Sequence, residues 1–120
     1  MESDKRRILV VEDNADVAEA LRLLLASCGY DVAVVHTGQD GLRAARQLEP
    51  HVVLCDIELP DRNGYVVGTL LRESGCPARL IAVTGRSEAN ARQHALAAGF
   101  DEHMAKPVNA DLLLRELTAV

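Results

Sequence analysis

Acidic residues follow two apolar runs of this sequence at the point where each run ends. Residues 52–55 lead directly into Asp56, and residues 8–11 lead into Glu12 and Asp13. Carboxylates held close together repel one another, and Mg²⁺ relieves that repulsion because it binds one or two carboxylates while it keeps several waters. The three acids therefore predict a site for Mg²⁺, or for Mn²⁺ in its place. Taken alone, Glu12 and Asp13 are equally compatible with a solvated strand end followed by a helix cap.

A hydroxyl and an ammonium group end two further strand-like runs. Residues 80–83 lead into Thr84, and residues 103–105 lead into Lys106. Each has an ordinary explanation, as a strand-end threonine and as a salt-bridge lysine. A phosphoryl group on Asp56, however, would find Mg²⁺, Thr84 and Lys106 as three electrostatic partners, which is what phosphoryl transfer requires. Carboxylates are established phosphoryl acceptors, so this set predicts phosphoryl transfer onto Asp56.

The order of the apolar runs predicts the elements that bring these residues together. Five short runs alternate with segments of helical periodicity, which predicts a doubly wound α/β fold with a five-stranded parallel sheet. The near-continuous run that ends at Asp56 is typical of a strand buried on both faces. Ligands bind at the carboxyl ends of the strands in such sheets, so the acids, Thr84 and Lys106 should lie together. The predicted strands are residues 8–12, 32–35, 52–56, 80–84 and 102–105.

Capping and periodicity signals predict five helices between and after the strands. The candidate N-caps are Asp13 or Asn14, Thr37, Ser87 and Asn109. The residues at helical spacing in the first and last helices are Val17, Leu21, Leu24, Cys28, Leu112, Leu113 and Leu117, the last three predicted to face inward. The fourth helix is predicted over residues 88–98. Residues 1–7 are polar and are predicted to form a flexible lead-in to one domain over residues 8–120.

Composition excludes several classes of protein. The net charge of −5 and an aromatic content of 2% argue against a nucleic-acid-binding surface. No apolar run reaches the length of a membrane span and the first residues do not form a signal peptide, so a cytoplasmic location is expected. Cys28, Cys55 and Cys76 are odd in number and widely spaced, which predicts buried thiols in a reducing compartment.

The ordered set of motifs resembles a receiver (response-regulator) domain of two-component phosphorelay signalling. The resemblance covers about residues 7–117, and each motif follows the expected element. Its parts are Glu12-Asp13, Asp56, Pro60 and Gly64 in the next loop, Thr84, and Lys106-Pro107. By this resemblance the fold is flavodoxin-like, (βα)5, with strand order 2-1-3-4-5.

The resemblance also implies a role for each site residue. Asp56 is the phosphoacceptor, and Thr84 and Lys106 bind the phosphoryl oxygens. Asp13 and Asp56 bind Mg²⁺ through their side chains, Glu12 through water and Glu58 through its backbone carbonyl. The Lys106–Pro107 peptide bond is expected to be cis. The implied phosphodonor is a histidine kinase or a histidine phosphotransfer domain, and the domain catalyses only its own phosphorylation and slow dephosphorylation, so it is not an enzyme acting on other substrates.

Two positions depart from the usual family pattern. The switch position on the fifth strand, usually Tyr or Phe, is His103, which would act together with Thr84; a half-exposed histidine without a switching role is the alternative. At the rim of the site, Glu58 and Arg86 could pair across the mouth and control the access of water. Gly85 is small, as phosphoryl access requires.

The sequence also allows interpretations other than a phosphoacceptor receiver. A small phosphatase of the haloacid dehalogenase type also has an aspartate nucleophile after an apolar strand, but its acid pair follows the nucleophile. A nucleotide-binding module would need a glycine-rich loop, which this sequence lacks. A receiver that serves only as a scaffold would not need the retained chemical residues.

Residues 100–108 resemble receivers attached to hybrid histidine kinases, and a stand-alone regulator is the other possibility. Ala15, Ala18 and Leu25 could form a docking patch for the phosphodonor, or could simply favour the helix.

Overall fold

Strands and helices alternate along the whole described chain. The computed structural model describes residues 5–85 and 89–118. The elements are β1 (Arg7–Val11), α1 (Ala15–Ser27), β2 (Asp31–Val35), α2 (Gly38–Leu48), β3 (Val52–Asp56), α3 (Gly64–Glu73), β4 (Arg79–Thr84), α4 (Ala91–Ala97), β5 (Glu102–Ala105) and α5 (Ala110–Thr118). The predicted alternation is therefore confirmed.

The five strands form one parallel sheet in the order β2-β1-β3-β4-β5. This is the predicted doubly wound, flavodoxin-like order. In the register, Val11 lies opposite Cys55, and Thr84 lies opposite Ala105. The residues that follow β1, β3, β4 and β5 therefore share one edge of the sheet, beside the point where the strand order reverses.

The helices cover both faces of the sheet. Leucines of α1 and α5 pack on one face, and residues of α2, α3 and α4 pack on the other. The central strand β3 contributes to both layers, since Val52 and Leu54 belong to the first cluster and Val53 and Cys55 to the second. All four are at most 2% exposed. Asp56 is thus the last residue of a strand that is closely packed on both faces.

The first strand begins one residue earlier than predicted, so the expected lead-in of residues 1–7 is too long. Arg7 belongs to β1 and pairs in the sheet with Asp31. Its backbone N–H donates to His51 Nδ1 at 2.9 Å, and its guanidinium donates to the carbonyl of Glu49 at the end of α2 at 2.8 Å. The pairing with Asp31 makes Arg7 part of the sheet, and the two other bonds hold its backbone and its charged side chain in place. Glu12 in turn lies beyond the strand end.

The buried face of α1 differs from the predicted one. Ala18, Leu21 and Leu25 are the buried residues, whereas Val17 is 42% exposed and Cys28 is exposed. Because the small side chain of Ala18 lies in the core, the buried face of α1 is rotated by about one position from the predicted face. Two of the three residues of the suggested docking patch, Ala18 and Leu25, are therefore core residues and cannot receive a partner.

Three further expectations require correction. Helix α4 begins at Ala91, after Asn90 in a left-handed conformation with φ 59° and without a side-chain cap; the predicted cap Ser87 lies outside the described residues. Leu112 is 48% exposed, although Leu113 and Leu117 are buried as predicted. Among the cysteines only Cys55 is buried, because Cys28 is exposed and Cys76 is half-buried.

The remaining predicted caps are confirmed. The side-chain oxygen of Asn14 accepts from the amides of Asp16 and Val17, that of Thr37 from Asp40, and that of Asn109 from Leu112.

None of the helices in residues 5–85 and 89–118 is long and apolar enough to cross a membrane.

Candidate functional site

Three carboxylates meet at the edge of the sheet where β1 and β3 end. Glu12, Asp13 and Asp56 each offer an oxygen, and these oxygens lie within 4.8 Å of one another. Glu12 is 4% exposed and Asp56 is 1% exposed, while Asp13 is exposed to solvent. The predicted cluster is confirmed. Hard oxygen ligands with one open side fit a Mg²⁺ ion that keeps part of its water shell.

Both carboxylate oxygens of Asp56 accept a hydrogen bond. The backbone N–H of Glu58 donates to Oδ1 at 3.0 Å, and Lys106 Nζ donates to Oδ2 at 2.8 Å. The Lys106 backbone N–H donates to the Thr84 carbonyl at 2.8 Å, which extends the β4–β5 pairing and holds the lysine in position. The side chain of Asp56 is therefore oriented from two directions by residues of the loop that follows β3 and of the end of β5.

Lys106 stays charged at this site. Partial burial lowers its pKa, but the hydrogen bond with Asp56 and the charges of Asp56, Glu12 and Glu58 raise it, and the net shift is upward. Its side chain is 34% exposed, so the ammonium reaches both Asp56 and solvent. A positive charge in this place can neutralise an anionic group brought to Asp56.

Thr84 provides a buried hydroxyl at the end of β4. The residue is 1% exposed, and among the described residues its Oγ1 has no hydrogen-bond partner. Leaving a buried hydroxyl unpaired costs about 1–3 kcal/mol. Such an atom is available to donate to an oxygen that a ligand or a modification would add.

Glu12 is the acid whose ionisation the fold disfavours most clearly. Burial raises its pKa from 4.5 to about 7, the nearby charge of Asp56 adds to the shift, and the hydrogen bond from the Asn14 amide opposes it. That amide donates to Glu12 Oε2 at 3.0 Å. Without a cation, the Glu12 carboxyl is therefore partly protonated near neutral pH.

The metal-free domain is expected to lose stability as the pH rises from 4.5 to about 7. In this window the unfolded chain has released the Glu12 proton and the folded chain still binds it, so the unfolding free energy falls by the order of 3 kcal/mol. Denaturant unfolding in EDTA across this range measures the slope. The Glu12→Gln variant should flatten it, and added Mg²⁺ should also reduce it. An equal slope in wild type and variant would contradict the assignment to Glu12.

The loop between β3 and α3 is closed tightly beneath the site. Glu58 and Asn63 form a bridge across it, and the Gly64 amide donates to the Ile57 carbonyl at 2.7 Å. A Cβ atom on Gly64 would lie 2.6 Å from Ile57 Cα and still closer to the Asp56 carbonyl oxygen. Only glycine permits helix α3 to begin this close to the end of β3.

The structure describes three of the four remaining predicted features of the site and does not describe Arg86. The Lys106–Pro107 bond is cis, as expected, and an added Cβ on Gly85 would meet no atom of the described residues within 4 Å. Arg86 lies outside the described residues, so its pairing with Glu58 stays a prediction. His103 is half-buried on β5, and among the described residues its Nδ1 is a buried atom without a partner; its switching role also stays a prediction.

Several residues around the site are not evident from the sequence. His36 Nδ1 lies 2.9 Å from the Glu12 carbonyl oxygen. The Asn14 amide bonds to the Glu12 carboxylate, and Asp61 bonds to the start of α2. An Asx-type signal predicts Asn14 only as a helix cap. Arg62 forms an ion pair with the neighbouring Asp61 at 3.6 Å, but nothing local indicates the hydrogen-bond donors to Asp61, because they are more than 20 positions away in the chain.

Comparison with known proteins identifies the family. Residues 8–118 match the family model described as the response regulator receiver domain. This chain is a receiver domain of the response-regulator family. The transcriptional regulatory protein DltR of Streptococcus agalactiae is 39% identical over 111 residues, which cover 92% of this chain and 50% of DltR. The DNA-binding response regulator MtrA of Mycobacterium tuberculosis is 36% identical over 120 residues, which cover 99% of this chain and 52% of MtrA.

Solved structures agree with the sequence relatives. A CheY-like response regulator receiver domain protein from Methanospirillum hungatei superposes with a TM-score of 0.90 at 28% identity, over 97% of this receiver domain and 93% of that chain. The receiver domain spans about half the length of the curated relatives named above. Family membership and sheet order together favour a two-component signalling domain over a dehalogenase-type phosphatase.

Proposed function

We propose that this receiver domain accepts a phosphoryl group on Asp56 and relays a signal by the conformational change that follows. The donor is a phosphohistidine of a histidine kinase or of a histidine phosphotransfer domain, and the reaction depends on Mg²⁺. One observation carries the proposal: Asp56 is 1% exposed, clusters with Glu12 and Asp13, and accepts a hydrogen bond from Lys106 Nζ at 2.8 Å. A buried carboxylate between acids and a lysine is suited to transfer of an anionic group.

The transfer itself needs little covalent chemistry from the protein. A carboxylate oxygen of Asp56 forms a bond to phosphorus, the phosphorus–nitrogen bond of the donor breaks, and its electron pair stays on the imidazole. The product is an aspartyl phosphate, whose three terminal oxygens share a negative charge that must be stabilised. Lys106 donates to one of them in place of its bond to Asp56, and the unpaired hydroxyl of Thr84 donates to another.

The acid cluster is the proposed metal site. The side chains of Asp13 and Asp56 and the backbone carbonyl of Glu58 would hold the ion, and Glu12 would contact it through water. All these ligands are oxygens, which Mg²⁺ prefers. When bound, the cation would supply positive charge that stabilises the transferred phosphoryl group. Its binding also relieves the repulsion between Asp56 and Glu12 that contributes to the raised pKa of Glu12.

In this proposal the conformational change extends from the site to the end of β4 and to β5. Thr84 moves when its hydroxyl pairs with the phosphoryl group, and His103 is the ring available on β5 to fill the space beside it. The output lies in a partner or in a covalently attached unit. The curated relatives are about twice as long as this chain, and one is named a DNA-binding response regulator; attachment to a hybrid histidine kinase is the alternative that residues 100–108 suggest.

Incubation with acetyl phosphate tests the proposal. We expect intact-mass analysis to show one phosphoryl group per chain in Mg²⁺ and none in EDTA, with the label on the peptide that contains Asp56. The same protein should show no multiple-turnover hydrolysis of phosphate monoesters, which a dehalogenase-type phosphatase would catalyse. Labelling that survives EDTA, or that maps to another residue, would remove the proposal.

A further inference from the structure

The loop that follows the phosphoacceptor strand is bonded to the start of α2. Asp61 Oδ1 accepts from the Gly38 amide at 2.8 Å, and Asp61 Oδ2 accepts from the Gln39 amide at 2.9 Å. The next amide at the start of the helix, that of Asp40, donates to Thr37 Oγ1 at 3.0 Å. Helix α2 is therefore capped by two side chains, one of its own and one from the β3–α3 loop.

A second contact lies beside the first. Arg62 Nη2 donates to the side-chain oxygen of Gln39 at 3.0 Å. The stem of Arg62 packs so closely on Gly38 that an added Cβ there would lie 2.7 Å from Arg62 Cγ. Two consecutive loop residues are thus fastened to two consecutive helix residues, and we call this contact between Asp61, Arg62, Gly38 and Gln39 the loop latch.

The loop latch holds the position of the β3–α3 loop more than that of helix α2. Helix α2 is anchored in the core by Ala44 and Ala45, which are 8% and 6% exposed. The loop instead carries the exposed residue Glu58, whose N–H donates to Asp56 Oδ1 at 3.0 Å. A rigid support at Asp61 limits the movement of Glu58, three residues earlier. Asp61 remains ionised for this purpose, since its bonds from the Gly38 and Gln39 amides lower its pKa.

We propose that Asp61 is a positioning residue for the phosphoryl-transfer site. By fastening the loop to α2, it keeps the N–H of Glu58 on Asp56 and the Glu58 carbonyl in place for the metal ion. This inference rests on the proposed function, in which that carbonyl is a Mg²⁺ ligand. Residues that orient a metal ligand without touching the metal commonly matter to metal affinity.

The matched test compares Asp61→Ala with Thr37→Ala. Both variants remove a side-chain cap from the same end of α2, but only the first frees the loop. Mg²⁺ dissociation constants are measured from the chemical shift of the Glu58 amide, and amide hydrogen exchange reports on α2. We expect faster exchange in α2 in both variants. We expect Mg²⁺ affinity to fall about tenfold in Asp61→Ala alone, with slower labelling by acetyl phosphate at equal Mg²⁺ concentration.

The Asp61→Asn variant separates geometry from charge, because it keeps one acceptor oxygen and loses the negative charge. It should bind Mg²⁺ with an affinity between wild type and Asp61→Ala, and it carries the test if Asp61→Ala does not fold. Equal Mg²⁺ affinity in Asp61→Ala and Thr37→Ala would make Asp61 a helix cap only. An Asp61→Asn variant as weak as Asp61→Ala, with α2 exchange as in wild type, would assign the effect to charge and overturn positioning. A wild-type domain that binds no Mg²⁺ would instead overturn the proposed function itself.

Discussion

The Asp56→Asn variant is expected to take up no phosphoryl group under conditions that label the wild-type domain completely. An amide oxygen is a far poorer nucleophile than a carboxylate, and loss of a nucleophile costs at least about a thousandfold in rate. The fold should persist, because asparagine can still accept from the Glu58 amide or from Lys106, the two donors that hold Asp56. Intact-mass analysis after incubation with acetyl phosphate and Mg²⁺ measures the uptake, and thermal unfolding checks the fold.

The Asp13→Asn variant is the matched control for this result. It removes an acid from the same cluster but leaves the proposed acceptor untouched. Its labelling should need a higher Mg²⁺ concentration and should approach completion when Mg²⁺ is saturating. Uptake by the Asp56→Asn variant at a rate near that of wild type would show that the acceptor is another residue. A failure of Asp13→Asn to label even at saturating Mg²⁺ would contradict the assignment of Asp13 to metal binding alone.

The Gly64→Ala variant is expected to be strongly destabilised. Its methyl group would lie 2.6 Å from Ile57 Cα and nearer to the Asp56 carbonyl oxygen. Both neighbours are backbone atoms, so no side-chain rotation relieves the overlap, and the start of α3 must move away from β3. Overpacking of this kind costs about 3 kcal/mol, which for a domain of this size lowers Tm by roughly 10 °C. Calorimetry or thermal unfolding followed by circular dichroism measures the change.

Gly85 offers the control for the effect of a methyl group in a neighbouring site loop. An added Cβ at Gly85 meets no atom within 4 Å in the part of the chain that the structure describes, and the φ of Gly85 lies outside the left-handed range. The Gly85→Ala variant should therefore unfold within a few degrees of wild type, so that a large loss at Gly64 alone reports the close backbone approach. Equal losses at both positions, or none at Gly64, would contradict that explanation.

Much of the site follows from the sequence because its residues stand at strand ends. Glu12, Asp56 and Lys106 each follow a short apolar run, and a buried run of that length predicts a strand of a parallel sheet. Once the strands are parallel, their carboxyl ends must share an edge. The clustering of the acids and the contact between Lys106 and Asp56 are therefore consequences of local patterns combined with one rule of topology.

The faces of the helices are less well determined by the sequence. On α1, Val17 is more apolar than Ala18, and the spacing of Val17 and Leu21 favoured an inward valine. The structure instead buries Ala18 to 1% exposure and leaves Val17 at 42%. The distance between helix and sheet selects the small residue here, and that distance depends on every layer of the core. Helical periodicity specifies the width of an apolar face but leaves its rotation uncertain by one position.

The sequence by itself determined the element types, the strand order through its resemblance to a known family, and the residues that can do chemistry. Only the tertiary structure decided which groups hold those residues in place. Asp61 bonds to α2 across more than 20 positions of chain, and Gly64 is required because two backbone segments touch. The physical reason is the range of the interactions: strand and helix patterns repeat over a few residues, whereas hydrogen bonds and close contacts between distant segments exist only after the core has set their separation.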